Sequence, residues 1–190
     1  MNPIGMVAIG TIDPPIMSAI ADTLGRTFRH PVTMFDPMPE PAYAYDERRR
    51  QYSSVLVLRT LLEMVPGSVV RLLGVTGKDL FIPMLSFVLG QAQLNGKVAV
   101  ISLARLQQHF YGFPPDPELL RARAVKEAVH EVGHTFGLTH CADTRCPMSL
   151  SNNVQHVDTK GPALCPACTA VFTEQLAQFR AGSASDGAAG

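Results

Sequence analysis

The chain carries no net charge, because sixteen Lys and Arg are matched by sixteen Asp and Glu among its 190 residues. It also lacks a Lys/Arg-dense stripe, which removes the electrostatic footprint of a nucleic-acid binder or of a protein held at a membrane surface. Arg48, Arg49 and Arg50 form the one basic cluster, and it reads as the solvated start of a helix rather than a phosphate site. No apolar run reaches membrane-spanning length. No basic residue precedes the apolar stretch at residues 1–12, the first being Arg26, so no secretory leader is expected and the expected location is cytoplasmic. The length is too short for two large domains and sufficient for one core with a small appendage. Hydrophobic residues at 46% and charged residues at 17% exclude disorder over most of the chain. Cysteines are few, and all four fall within the last fifty residues. In a reducing compartment such a cluster points to metal ligands rather than disulfides.

What is present alternates between helical and strand patterns. Residues 6–12 (MVAIGTI) read as a strand, 14–28 as a helix and 30–35 (HPVTMF) as a strand. A proline-rich loop at 36–44 precedes a helix over 50–65 that Pro66-Gly67 stops. Residues 68–75 and 98–103 read as buried strands, with an antiparallel edge expected around 87–90. The fold class is therefore α/β (α+β), a mixed, mainly parallel sheet with packed helices. Asp116-Pro117-Glu118 is a strong helix start, combining an N-cap, a proline at the first helical position and an early acid. That helix is expected over 116–136. Beyond Gly137 the composition turns to Cys, Asn, Asp and Pro with little periodicity until a helix at 166–180, the pattern of a small metal-dependent subdomain. Residues 182–190 read as a frayed tail.

The chemistry is concentrated in His130-Glu131-Val132-Gly133-His134, followed by Gly137 and His140. At roughly 100° per residue, His130 and His134 lie about 40° apart with Glu131 beside them, and Val125, Val129, Val132 and Phe136 fall on the opposite side. One face is core and the other carries imidazoles. Two histidines one turn apart can bind one ion, and Glu131 is placed to act on a metal-bound water without being a ligand itself. Gly137 tolerates the left-handed conformation that ends a helix, which lets the chain turn and bring His140 to the same ion. Three neutral histidines leave one position open, the mark of a catalytic rather than a structural zinc. A chance HExxH in such a composition has a probability of about 1 in 100, and requiring Gly137 and His140 lowers it to roughly 1 in 10,000. His30 and His109 read as ordinary packed or surface residues. His156, in the loop after Met148, is a candidate to border the substrate site.

Cys141 and Cys146 form C-x4-C, and Cys165 and Cys168 form C-x2-C, the spacing of a tetrahedral four-thiolate zinc site. A nucleobase deaminase also pairs a His/Glu element with CxxC, but it needs H-x-E and a proline before the first Cys. Here Glu131 adjoins His130 and Leu164 precedes Cys165, so that class is rejected.

HExxHxxGxxH followed by Cys146-Pro147-Met148 resembles the metzincin pattern, and the interleaved Cys141, Cys146, Cys165 and Cys168 resemble the archaemetzincins. Arg50-Gln51-Tyr52, residues 76–90 (TGKDLFIPMLSFVLG), 102–106 (SLARL) and Lys126-Glu127-Ala128 are similar to archaemetzincin segments too. The resemblance implies a zincin-like upper subdomain over 1–137, a lower one over 138–181 and a cleft between them. It implies a catalytic zinc on His130, His134 and His140, Glu131 as base, a structural zinc on the four cysteines, and Met148 as the Met-turn beneath the histidines. No Tyr follows Met148; Ser149 and Leu150 stand there, so no group beyond zinc is assigned to the oxyanion. The expected function is a zinc-dependent metallopeptidase acting on peptides, with aminopeptidase action suggested by the family and two zinc ions per chain. The competing reading is a non-catalytic, zinc-stabilised module that binds peptides or proteins. Oligomeric state is left open.

Overall fold

A computed structural model describes the backbone of residues 2–186 and the side chains through residue 177. Its main sheet has five strands in the order β2-β1-β5-β8-β7: β1 (Ile4–Ile9), β2 (Val32–Met34), β5 (Arg71–Thr76), β7 (Gly90–Ala92) and β8 (Val98–Ser102). Every neighbouring pair is parallel except β7–β8, so the expected mixed, mainly parallel α/β sheet is present. A smaller sheet orders β3 (Tyr45–Asp46), β4 (Gln51–Ser53) and β6 (Leu80–Phe81).

Alternation along the strands explains why helices cover both faces. Ile4, Met6, Leu73, Val75, Ala99 and Ile101 point into one cluster with α1 (Pro14–Phe28) and α3 (Pro117–Thr135). Val7, Ile9, Leu72, Val98 and Val100 point into the other, under α2 (Ser54–Met64). With both faces buried, the strands read as continuous apolar runs rather than alternating ones. The third side of the first cluster is filled from beyond Gly137: Leu138, Met148, Val157, Phe172 and Leu176 join it. Phe28, Phe136 and Phe172 meet there with ring centroids 5.1–5.3 Å apart, tying α1 and the end of α3 to α5 (Pro166–Asp186).

Several expected boundaries move. The first strand ends at Ile9 rather than residue 12, because Gly10 at φ 80° turns the chain away and donates to the Met38 carbonyl. The helix expected over 50–65 begins at Ser54. Residues 51–53 are β4, paired with β3 and β6, and the Ser53 hydroxyl caps α2 by accepting from the Leu56 N–H. The Arg48–Arg50 cluster is consequently a turn entering β4, not a helix start. The antiparallel edge lies at Gly90–Ala92, with Val88 making a lone bridge to Leu80 just before it. A helix absent from the expectation, α4 (Val154–Thr159), is capped by Asn153 accepting from the His156 N–H. The backbone of α5 carries through the first part of the expected tail, and residues 187–190 lie outside those described.

Candidate metal centre and active site

α3 starts where the sequence places it. The Asp116 carboxylate accepts from the Leu119 N–H at 2.9 Å, and Pro117 opens the helix. Val129, Val132 and Phe136 are buried in the core, with Val125 packed at its margin. His130, Glu131 and Glu127 on the other side are buried as well, so this polar face is enclosed rather than solvated.

The helix ends in a Schellman turn. Gly137 adopts φ 87°, its N–H donates to the His134 carbonyl at 2.9 Å, and the Leu138 N–H donates to the Gly133 carbonyl at 3.0 Å. The Thr135 carbonyl accepts from Arg71 Nε at 3.0 Å, with the guanidinium 4.5 Å over the Phe136 ring. A buried cation at a helix C-terminus is favourably placed. The turn carries His140 back to the helix: one ring nitrogen from each of His130, His134 and His140 lies within 4.8 Å of the others. The Nε2 atoms of His130 and His134 are 3.1 Å apart.

Two backbone carbonyls orient the rings. His130 Nδ1 is 2.8 Å from the Pro147 oxygen and His134 Nδ1 is 2.7 Å from the Leu138 oxygen. A carbonyl only accepts, so both Nδ1 atoms carry the proton and both Nε2 lone pairs face the shared space. Burial, and next the charge of Lys160, push His130 well below the ordinary imidazole value, and burial lowers His134 and His140 too. Neutral imidazoles are the form that binds a metal. Met148, fully buried, lies under the helix against Gly133, where a β-carbon would come within 2.5 Å of its sulfur.

Glu131 sits beside this group, walled in by the edge strand. A β-carbon on Gly90 would lie 2.6–2.8 Å from Glu131 Cγ, Cδ and Oε1. Burial holds the carboxyl well above the usual carboxylate range, Glu127 adds to this, and Lys160 opposes it. A cavity of about 490 Å³ opens over the histidines and Glu131. Residues 85–90, Glu127, Leu150, Ser151 and Asn152 line it along with them. His156 is not part of this lining; it sits in α4, where its Nδ1 accepts from the Asn152 N–H. Ser149, next to Met148, is spent on the Thr144 carbonyl, and Leu150 is apolar. His30 is packed, with Nδ1 2.9 Å from the Asn2 oxygen, and His109 is exposed.

The four cysteines also converge, with Sγ atoms within 4.8 Å of one another and none in a disulfide. Cys141 and Cys165 sulfurs are 3.7 Å apart. Burial pushes the Cys146 and Cys168 thiols up, whereas the Cys168 N–H lowers Cys165. Four sulfurs this close cannot all be thiolates without a cation among them, and a divalent ion resolves that conflict. Both donor sets therefore fit zinc in type and number. The two clusters adjoin through His140-Cys141, whose Cys141 N–H donates to the Met148 carbonyl.

Residue types in the sequence give no sign of Gly90, Gly133, or the Pro147 and Leu138 carbonyls. A backbone acceptor leaves no trace in residue type, and a glycine's reason is visible only when its neighbour across the fold is known.

The family model for peptidase family M54 matches residues 38–174. The archaemetzincin of Methanocaldococcus jannaschii is 41% identical over 163 residues, covering 84% of this chain and 87% of that protein. That of Methanopyrus kandleri is 46% identical over 136 residues, 72% of this chain and 74% of that protein. The crystal structure of the Methanopyrus kandleri archaemetzincin matches with a TM-score of 0.81 at 37% identity, covering 92% of this chain and 95% of that one. A zinc-dependent peptidase from Methanocorpusculum labreanum matches with a TM-score of 0.78 at 28% identity, covering 89% and 99%. With the family model spanning well over half of it, the chain belongs to peptidase family M54, the archaemetzincins, and is a zinc metallopeptidase.

Proposed function

We propose that His130, His134 and His140 hold a catalytic zinc, that Glu131 is the general base, and that Cys141, Cys146, Cys165 and Cys168 hold a second, structural zinc. The carrying observation is the orientation of the imidazoles: His130 and His134 Nδ1 are fixed by carbonyls at 2.8 and 2.7 Å, with Nε2 directed at one point. Zinc bound there would supply a polarised carbonyl and a water acidic enough to attack at neutral pH. Glu131, held against Gly90, takes the proton from the attacking water and passes it to the departing amine. Met148 packs beneath the histidines and takes no part in proton transfer.

The peptide lies across the cavity between an upper part over residues 1–137 and a lower part over 138–181. Its backbone pairs with the free edge of β7 and the approach to it at 87–90, adding a strand to the sheet. Trimming from the amino terminus requires a carboxylate for the α-amine. Glu127, the other acid in the cavity, is buried and already balanced by Lys160 3.5 Å away, so it is not available as that anchor. Clustered free thiols and the absence of a basic stripe support a cytoplasmic protein that does not bind nucleic acid. Among the described residues no helix is long and apolar enough to cross a membrane.

The deciding experiment exposes zinc-loaded protein and its Glu131→Ala variant to a library of peptides in free and N-acetylated form. Cleavage by the parent alone is expected, and restriction to free amino termini would establish trimming. Metal analysis is expected to return two zinc ions per chain. Binding without cleavage by either form, at full zinc content, would favour a non-catalytic binding module instead.

A further inference from the structure

Part of the cavity wall comes from an irregular segment, residues 82–89, of which 85–89 line the cavity together with Glu131; the segment carries apolar side chains at its tip. Met84 is 88% exposed and Leu85 51%. Its backbone bonds are few: the Leu85 N–H donates to the Ile82 carbonyl, the Val88 N–H to the Leu80 carbonyl, and the Leu89 carbonyl accepts from the Ser102 N–H. Between those bonds it is held by the side chains of Arg49, Gln51 and Arg105. Arg49 Nη1 donates to the Leu85 carbonyl at 2.9 Å, and Gln51 Nε2 donates to the Ser86 carbonyl at 2.9 Å. The Arg105 guanidinium lies 4.1 Å over the Phe87 ring, with Phe110 4.8 Å from it.

Two of these three side chains converge on one carboxylate. Arg105 meets Asp79 in a two-point fork, Nε to Oδ1 at 2.7 Å and Nη2 to Oδ2 at 2.8 Å, and Gln51 Nε2 donates to Oδ2 at 2.9 Å. The pair is mostly shielded, with side-chain exposures of 22% and 18%. A planar fork stacked on aromatic rings fixes direction as well as distance, which a lysine cannot do. None of Gln51, Asp79 or Arg105 lines the cavity, yet Ser86 and Phe87, which they hold, do.

We propose that Gln51, Asp79 and Arg105 are positioning residues that hold the 82–89 wall at the height an extended peptide needs to engage the cleft. The inference rests on the peptidase reading above. Without the brace, the wall must be ordered by each incoming peptide, and that lost freedom is charged against binding. The bond-breaking step at Glu131 is touched little.

The test is kinetic, on zinc-loaded Arg105→Met, Asp79→Asn and Arg105→Lys with cleavable peptides of increasing length. KM is expected to rise about tenfold on the longest peptide, with kcat changed by less than about threefold and the loss growing with length. Arg105→Lys should recover only part of the affinity, because a point charge cannot reproduce the fork. Equal losses at every length, a fall in kcat alone, or a loss that follows a lowered melting temperature would overturn the proposal. If the parent cleaves no peptide, it is the peptidase reading that fails. The brace is then decided by amide exchange at Ser86–Leu89: faster in Arg105→Met sustains it, and unchanged exchange overturns it.

Discussion

Gly90 and Glu131 share a space that holds one side chain. The β-carbon of Gly90→Ala would fall within 2.8 Å of three Glu131 atoms, and the carboxylate is too enclosed to retreat without leaving its place beside His130. A catalytic group displaced by about 1 Å can cost on the order of a hundredfold in rate. Gly90→Ala is therefore expected to lower kcat by about that factor while zinc content and melting temperature stay near the parent values. Loss of zinc in step with activity would move the cause from Glu131 to the histidines. The helical residues of this site were legible in the sequence because a spacing of four positions is a local geometric fact. Gly137 was legible too, since a positive φ at a helix end is a backbone requirement. Gly90 was hidden, because its reason is a contact with a distant helix. Gly133 was hidden likewise, between the two histidines, where it admits the Met148 sulfur.

At the scale of elements, the sequence locates α1 and α3 well because both open on a proline and run for four turns or more with sustained helical spacing, α3 with a capping Asp116 besides. It fails where pairing is non-local. Residues 51–53 (QYS) run into the following helix with no proline or glycine between, and only their pairing with β3 and β6 makes them a strand. Helix α4 fails for a different reason: six residues contain too little periodicity to register. It is fastened to α3 by charge instead. Arg123 grips Asp158 with two bonds of 2.7 Å, Lys126 donates to the Val157 carbonyl at 3.1 Å, and Lys160 lies 3.5 Å from Glu127. The last pair is buried on both sides, and its separation is long for a hydrogen bond. Burial raises Glu127 and Lys160 pulls it back. Removing one member leaves the other's charge in the interior, at a cost of about 3–5 kcal/mol, whereas removing both is often near neutral. Lys160→Met is expected to lose stability in that range by urea unfolding, and Lys160→Met/Glu127→Leu to recover most of it. A double variant as unstable as the single one would show that the two charges do not compensate each other.

Across the whole molecule, the boundary suggested by composition at Gly137 is not a boundary in the core. Leu138, Cys146, Met148, Val157, Cys168, Phe172 and Leu176 belong to the same cluster as Ile4, Ile20 and Ile101. Two of the cysteines are thus core residues as well as candidate ligands, and Phe172, one turn beyond Cys168, closes the aromatic group with Phe28 and Phe136. Binding of a structural zinc by four thiolates is worth on the order of 10 kcal/mol, comparable with the roughly 5–15 kcal/mol that keeps an entire domain folded. If the lower part stood apart, Cys165→Ser would melt it alone and leave α1 and the sheet untouched. The shared cluster argues otherwise. Cys165→Ser, or chelation of the zinc proposed at the four cysteines, is expected to shift the melting of the whole chain downward as one transition. Amide protection should fall in α1 and β1 as well as in α5. Calorimetry combined with hydrogen exchange reads this directly. Two resolved transitions, with α1 protection unchanged through the first, would mean that the lower part is an independent unit held to the upper one only by contact.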